Sequence, residues 1–219
     1  MSQQMQSRTA RFFDRYSQDF EAIYGNDNRL FDQAVNRLFR QAMVMRYEET
    51  LRSCSPIEGC SVLDVGCGPG HYSVALAQRG ASRVVGVDFA ENMVSLAAAR
   101  AQRQGVADRC EFSVADFLTH PFDTTFDYVV VMGFMDYMRE PERVIERVAQ
   151  LCTRKAVFSF PADGGILAWQ RKLRYRRRCD LFMYRHEQIH QLMSRIGAPF
   201  SIKRLSRDFF VTLEPKARS

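Results

Sequence analysis

The sequence lacks the features of membrane-spanning and disulfide-bonded secreted proteins. No apolar run approaches the roughly 18 residues that a transmembrane helix needs. Residues 1–11 are polar and lack the apolar core of a secretory signal, so we expect a cytoplasmic protein. The 6 cysteines include no C-x-x-C pair, and 219 residues is long for a disulfide scaffold, so we expect free thiols.

Acidic residues are in the minority, since 31 Lys and Arg face 25 Asp and Glu and give a net charge of +6. The excess is concentrated in residues 171–178, a run that contains six basic residues and no acid. Such a run is typical of a nucleic-acid-binding surface, of a solvated helix face, or of a rim that attracts an acidic small molecule. Few aromatic residues interrupt it and no RNA-binding module accompanies it, which favours the last two interpretations.

Apolar strands and amphipathic helices alternate along most of the chain. The pattern predicts strands 61–65, 83–88, 110–114, 126–132 and 155–160, with helices 71–79, 91–104 and 141–151 between them. A helix at about 185–196 and a hairpin of strands at about 200–205 and 208–213 follow. Alternation of this kind predicts a Rossmann-like, doubly wound α/β fold with a mostly parallel sheet. Two further helices, 8–24 and 29–53, are predicted before the first strand.

A glycine turn follows the first of these strands. Residues 62–70 spell V-L-D-V-G-C-G-P-G, and an apolar helix begins directly afterwards. Glycines let the backbone approach a ligand without Cβ atoms in the way. A strand, a glycine turn and a helix therefore predict a nucleotide site at the carboxyl end of the sheet, against a helix N-terminus.

The residues around the turn indicate which nucleotide. A dinucleotide fingerprint needs glycine at its sixth position, where this chain has His71. Asp64 would repel a pyrophosphate but suits the ammonium group of an amino acid. Asp88 ends the second strand, 18 residues after Gly70, where an acid accepts hydrogen bonds from ribose. Ribose at one end and an amino-acid group at the other describe S-adenosylmethionine.

With these motifs the chain resembles the class I S-adenosylmethionine-dependent methyltransferases over about residues 28–213. The glycine turn, the second strand with its acid (86–93), a third strand with an acid for the adenine amino group (111–117) and a fourth strand (126–134) occur in the family's order. The resemblance implies a seven-stranded sheet with an antiparallel C-terminal strand. The implied cofactor-binding residues are Asp64, Gly66, Cys67, Gly68, Gly70, His71, Asp88, Phe89, Met93, Ala115, Asp116, Phe117, Met132 and Gly133.

The resemblance also divides the chain into a helical extension, 1–53, and a methyltransferase domain, 54–219. In this family such extensions often form a lid over the cofactor, although most of the aromatic side chains in this one suit ordinary packing on the sheet. Tyr16 and Tyr24 are exceptions, because a tyrosine hydroxyl needs a polar partner. Arg46 could reach the cofactor carboxylate from the second helix or could be an ordinary surface arginine.

Catalytic candidates follow the fourth strand. Related methyltransferases often place an acid or a histidine there, and this chain has Asp136 and Tyr137. The alternative is that Asp136 caps the next helical turn and Tyr137 packs. His71 is a second candidate, although a contact with the amino-acid end of the cofactor suits it better, and His120 has the setting of a loop residue.

Two absences narrow the methyl acceptor. The N/D-P-P-Y/F motif of base-modifying amino-methyltransferases is missing, because Met132, Gly133, Phe134 and Met135 stand at that place. The set of acids typical of metal-dependent catechol methyltransferases is missing too. We therefore expect transfer to oxygen, or less readily to nitrogen, of a small-molecule metabolite. The alternatives are an RNA methyltransferase that uses residues 171–178 and a non-catalytic S-adenosylmethionine-binding protein.

Residues 186–190 spell H-E-Q-I-H, the zinc-protease signature. The extended pattern would need glycine at 193 and histidine at 196, where the chain has methionine and isoleucine. The histidines also flank an amphipathic pattern of ordinary apolar residues. We therefore expect a plain helix and no metal site.

Overall fold

The computed structural model describes residues 30–164 and 181–215, with side chains from residue 41 onward. The predicted helix 8–24, with Tyr16 and Tyr24, and the basic run 171–178 lie outside the described residues. The helices are α1 (Leu30–Ser53), α2 (His71–Gln78), α3 (Glu91–Arg103), α4 (Pro141–Leu151) and α5 (His186–Ser194). The strands are β1 (Ser61–Val65), β2 (Arg83–Asp88), β3 (Cys110–Val114), β4 (Phe126–Val131), β5 (Cys152–Pro161), β6 (Phe200–Leu205) and β7 (Asp208–Leu213).

These strands form one seven-stranded sheet in the order β3-β2-β1-β4-β5-β7-β6. Strands β1 to β5 pair in parallel, whereas β7 runs antiparallel to both β5 and β6. The predicted Rossmann-like fold with an antiparallel C-terminal strand is thereby confirmed. Because the chain reverses direction in the sheet order between β1 and β4, a crevice opens at the carboxyl ends of these two central strands.

The two faces of the sheet carry separate apolar layers. Val62 points to one layer with Leu51 of α1 and Leu76 of α2, whereas Leu63 points to the other with Ile145 of α4 and Ile189 of α5. All of these side chains are at most 4% exposed. Successive residues of a strand face opposite sides, so a nearly continuous apolar strand is the expected sequence for a sheet buried on both faces.

The element boundaries differ from the sequence-based expectations mainly at β5. This strand begins at Cys152 and not at 155, because α4 leads into it directly and Cys152 already pairs with Phe126. Polar residues at 153–155 concealed this extension from the apolar pattern. The other predicted elements within the described residues end within two residues of their expected positions.

Candidate functional site

The glycine turn is fixed to the end of β2 by main-chain hydrogen bonds. The N–H groups of Gly66 and Cys67 both donate to the carbonyl of Val87, at 2.8 and 3.1 Å. The N–H of Gly68 donates to Oδ2 of Asp88 at 2.9 Å. All three glycines have positive φ (67°, 51° and 75° for Gly66, Gly68 and Gly70), a conformation that other residues rarely adopt. The turn is therefore a rigid backbone surface at the crevice.

The three glycines of the turn serve different purposes. A Cβ on Gly66 would lie 2.6 Å from Cδ2 of Phe134, and one on Gly70 would lie 2.9 Å from Cβ of Ala97, so packing excludes a side chain at both. A Cβ on Gly68 would meet no atom of the described residues within 4 Å. Within this part of the chain Gly68 thus borders open space, and a ligand can approach the backbone there.

Asp88 lies where a ribose-binding acid is expected. It is 9% exposed, and its two carboxylate oxygens accept from the N–H groups of Gly68 and Ala90, each at 2.9 Å. These two bonds fix the Asp88 carboxylate beside the glycine turn. Ribose binding by Asp88 stays a prediction, and the geometry is compatible with it.

Asp64 faces the interior. Its side chain is 1% exposed, and Oδ2 accepts a hydrogen bond from Oγ of Ser73 at 2.6 Å. Burial raises the pKa of Asp64 to about 6, opposed by the Ser73 hydrogen bonds and reinforced by Asp88. The geometry supports a role in holding α2 against β1, and a direct contact with a ligand ammonium group stays a prediction.

The loop after β3 brings the third acidic residue to the same edge of the sheet. The N–H of Ala115 donates to the carbonyl of Asp88 at 2.8 Å, and Oδ1 of Asp116 accepts from the N–H of Leu118 at 3.0 Å. The Phe117 side chain is 2% exposed and lies in the core, so it is enclosed by protein on nearly all sides. Of the remaining predicted contacts on α3 and β4, Phe89 is half-buried, whereas Met93 and Met132 are buried.

His71 begins α2 at the mouth of the crevice and is half-buried. Burial and the neighbouring Arg100 lower the pKa of His71 to about 4, so the imidazole is neutral near pH 7. Nε of Arg100 donates to the carbonyl of Pro69 at 2.8 Å, and its Nη2 lies 3.5 Å from Nε2 of His71. Arg100 therefore connects α3 to the glycine turn.

The catalytic candidates lie in a short 3-10 helix, Met135–Tyr137, just beyond the end of β4. Asp136 is 3% exposed, while Tyr137 is half-buried. Helix α4 begins only at Pro141, preceded by Glu140, so capping of that helix is not the role of Asp136. Asp136 thus lies beyond the carboxyl end of β4, the strand that pairs with β1.

A later segment of the chain holds this 3-10 helix in place. The N–H of Phe182 donates to the carbonyl of Asp136 at 2.8 Å, and the hydroxyl of Tyr184 lies 3.2 Å from the carbonyls of Met135 and Met138. Sequence patterns missed these three contacts, because the segment has no periodicity and lies more than 40 residues further along the chain.

From the sequence, Arg46 could reach the cofactor carboxylate or could be an ordinary surface arginine. Its guanidinium contacts the Tyr72 hydroxyl (3.3 Å) and Oδ2 of Asp208 (3.4 Å), and its side chain is 16% exposed. Burial opposes its charge, but Tyr72, Asp208 and Asp136 together hold the pKa of Arg46 above its ordinary value. A Cβ on Gly133, at the end of β4, would lie 3.9 Å from Nη2 of Arg46. The surface interpretation of Arg46 is thus wrong.

The H-E-Q-I-H segment forms the first part of α5. His186 and His190 are exposed, with their rings edge-on to Phe209 and Phe200 at centroid distances of 6.0 and 5.3 Å. Within residues 30–164 and 181–215, no group of three or more His, Cys, Asp and Glu side chains is arranged to hold a metal ion. Nor does this part of the chain contain a helix with the length and apolarity needed to cross a membrane.

The chain is similar to known methyltransferases. Residues 62–155 match a family model described as a methyltransferase domain. The chain is 27% identical over 215 residues to the magnesium-protoporphyrin O-methyltransferase of Rhodobacter capsulatus, covering 95% of this chain and 94% of the relative. It is 32% identical over 117 residues to the ubiquinone biosynthesis O-methyltransferase of Leptothrix cholodnii, spanning about half of that protein (49%).

A solved structure has a similar fold over nearly the whole chain. The magnesium protoporphyrin IX methyltransferase of Synechocystis PCC 6803, crystallised with bound S-adenosylhomocysteine, superimposes with a TM-score of 0.76. The superposition covers 96% of this chain and 99% of that one, at 21% sequence identity. This likeness shows that the two proteins share the fold.

Proposed function

We propose that the chain is a class I S-adenosylmethionine-dependent methyltransferase that transfers a methyl group to an oxygen atom of a small-molecule acceptor. The observation that supports the oxygen assignment is Asp136, a carboxylate buried just beyond the end of β4. A hydroxyl acceptor needs a group that takes up its proton, whereas a neutral amine needs little help.

The residues at the crevice fit the cofactor of this family. A Cβ on Gly68 would meet no atom of the described residues within 4 Å, and Asp88 places a carboxylate beside Gly68, where we propose that it accepts from the ribose hydroxyls. Asp116 lies next to Asp88 through the loop after β3, where we propose that it meets the adenine amino group. When bound, S-adenosylmethionine supplies a methyl group already activated for displacement by its positive sulfur.

The guanidinium of Arg46 places a positive charge at the site. Its guanidinium lies beside Gly133 and Tyr72, at the edge of the crevice nearest the amino-acid end of the glycine turn. We assign it to the carboxylate of the cofactor, since arginine is suited to planar recognition of carboxylates. Asp208 holds the guanidinium in place from β7.

The chain then has two tasks in the reaction itself. The walls of the crevice position the acceptor and exclude water, which supplies much of the rate enhancement when the methyl donor is already activated. Asp136 accepts the acceptor's proton while the acceptor oxygen takes the methyl group, and the sulfur–methyl bond of the bound cofactor would break to leave S-adenosylhomocysteine. The positive charge of Arg46 interacts with this carboxylate. Tyr137 lies next in the chain and contributes a hydroxyl for orienting the acceptor.

Two groups of relatives suggest classes of acceptor to test. The relatives above act, by their names, on magnesium protoporphyrin and on ubiquinone precursors. A panel of carboxylic acids and phenols of these two sizes, together with an RNA transcript, should be assayed for incorporation of the methyl group. We expect transfer to a small molecule. Transfer to RNA alone would contradict the proposal.

The role of Asp136 is tested with the best acceptor from that panel. Asp136→Asn should lower kcat by about 100-fold or more, the usual contribution of a general base, and should leave the affinity for S-adenosylhomocysteine within about threefold. The matched control is Asp163→Asn, which changes a half-buried aspartate after β5. Unchanged kcat in Asp136→Asn would rule out Asp136 as the base.

A further inference from the structure

A half-buried arginine behind the adenine-side loop has no part in the function described above. Arg147 lies on α4, and its guanidinium carbon is 5.6 Å from the ring centroid of Phe117 and 5.6 Å from that of Phe122. Its Nη2 donates to the carbonyl of His120. Its Nε is buried and has no hydrogen-bond partner among the described residues. An apolar side chain would avoid the cost of this buried N–H group, so the packing of α4 alone does not account for an arginine here.

The hydrogen bond of Arg147 continues through His120 to the predicted adenine contact. The N–H of His120 donates to the carbonyl of Asp116 at 2.8 Å, and the carbonyl of His120 accepts from Arg147. A single residue therefore separates the guanidinium from the main chain of Asp116. The Asp116 carboxylate is in turn held by the N–H of Leu118 at 3.0 Å.

The stacking contacts of Arg147 lead to the glycine turn. The ring of Phe117, on which the guanidinium lies, meets Phe134 edge-on with a centroid distance of 6.4 Å. Phe134 in turn occupies the space beside Gly66, where a Cβ would come within 2.6 Å of its ring. Two routes of direct contact, one polar and one aromatic, thus connect Arg147 with both walls of the cofactor crevice.

From these contacts we propose that Arg147 is a positioning residue for adenine recognition, acting through the loop 115–122. The inference rests on the proposed assignment of Asp116 to the adenine amino group. The planar guanidinium contacts two rings and one carbonyl, a combination that a lysine ammonium cannot reproduce. Without it, the loop loses its fixed position on α4, and the Asp116 carboxylate no longer stays at the place of the adenine amino group.

The test compares two ligands that differ at the base. S-adenosylhomocysteine carries an amino group at the relevant position, and S-inosylhomocysteine carries a carbonyl oxygen, which cannot donate to Asp116. Titration calorimetry of Arg147→Met with both ligands should show S-adenosylhomocysteine weakened by about tenfold, the loss expected for one misplaced hydrogen bond to a charged group, while S-inosylhomocysteine binds as before. The preference for adenine should therefore fall by about tenfold.

Three further variants make the result decisive. Arg143→Met removes an exposed arginine of the same helix, which pairs only with Glu140 at 3.0 Å in the described structure, and should leave the preference unchanged. Arg147→Lys should give an intermediate preference, and Phe122→Leu should lower it without removing a charge. The last two variants also carry the test if Arg147→Met does not fold.

The positioning role would be overturned if Arg147→Met weakened both ligands equally. It would also be overturned if Arg147→Met, Arg147→Lys and Phe122→Leu all kept the wild-type preference for adenine. Failure of the wild-type protein to bind S-adenosylhomocysteine would instead overturn the cofactor assignment, and with it this inference. Thermal unfolding of each variant shows separately how much of any change comes from stability.

Discussion

The two walls of the crevice are built in different ways. The first wall, which we propose binds the ribose and adenine and call the cofactor wall, consists of the ends of β1, β2 and β3 with the loops after them, residues 62–70, 87–93 and 115–118, and its hydrogen bonds are mostly made by backbone groups. The second wall, which we propose faces the methyl acceptor and the carboxylate of the cofactor and call the acceptor wall, consists of Arg46, residues 133–137, residues 181–184 and Asp208. Its contacts join segments as far as 162 residues apart, and several depend on side chains.

This difference explains what each wall tolerates. A backbone wall needs glycines with particular φ angles and little else, so its chemistry is encoded in a short sequence motif. A side-chain wall needs several distant residues to be correct together, and it can change its ligand without changing the fold. Substitutions of the glycines should therefore disrupt the cofactor wall. Removal of a single charged side chain should disrupt the acceptor wall.

The largest effect is expected at Gly66, with Gly68 as its matched control. Gly66→Ala places a Cβ 2.6 Å from the Phe134 ring at a φ of 67°, so we expect it to cost about 3–4 kcal/mol of unfolding free energy. The Cβ of Gly68→Ala meets no atom of residues 30–164 and 181–215 within 4 Å, so this variant should cost only about 1 kcal/mol, from its positive φ.

Among the folded variants, the affinity for S-adenosylhomocysteine should fall more in Gly68→Ala than in Gly66→Ala. The Cβ of Gly68→Ala enters the space where a ligand approaches the backbone, so the folded variant should bind S-adenosylhomocysteine at least about 100-fold more weakly. Urea unfolding and calorimetry measure the two quantities. Equal losses of stability in the two variants would contradict the distinction drawn between the two glycines.

On the acceptor wall, the pair of Arg46 and Asp208 should show the next largest effect. Arg46→Met removes one partner of a largely buried ion pair, and we expect a loss of about 2–3 kcal/mol, below the full cost of a completely buried pair because the side chains are 16% and 8% exposed. S-adenosylhomocysteine should bind about tenfold more weakly if Arg46 holds its carboxylate.

A double-mutant cycle with Asp208→Asn separates the pair from its surroundings. The double variant should lose less stability than the sum of the two single variants, because removal of both partners leaves no uncompensated charge. Arg52→Met provides the control, since Arg52 forms an exposed pair with Glu49 on the same helix and should cost less than about 0.5 kcal/mol. Strict additivity in the cycle would show that the pair does not interact.

The smallest effect is expected for Asp64, beneath the cofactor wall. The pKa of this carboxyl in the folded protein is about 6, above its ordinary value of 3.8, so the folded state holds the proton more tightly than the unfolded state. Its contribution to stability is fully present below about pH 4 and is lost as the pH rises through 6.

Compared with Asp64→Asn, the wild-type protein should therefore lose about 2 kcal/mol of unfolding free energy between pH 4 and pH 7. Urea unfolding at several pH values measures the difference. Asp123→Asn, on the exposed loop before β4, controls for the loss of one negative charge. A wild-type stability that rises relative to Asp64→Asn over this range would contradict the assignment.

Most of the fold and of the cofactor wall could be predicted from the sequence, because both depend on local patterns. The strand ends, the glycine turn and the position of Asp88 all follow from residues that are close together in the chain. The pairing of Arg46 with Asp208 could not be predicted, because nothing near Asp208 in sequence marks it as a partner of α1. The inward orientation of Asp64 was missed for a related reason, since its partner Ser73 is an unremarkable residue of an apolar helix segment.

The most direct test of the account is calorimetric titration of the wild-type protein with S-adenosylhomocysteine, with NAD as the control ligand. We predict binding with a dissociation constant in the micromolar range for the first and no binding of the second, because the glycine turn lacks the sixth glycine of a dinucleotide site and is followed by His71. Binding of NAD, or of neither ligand, would contradict the assignment of this crevice.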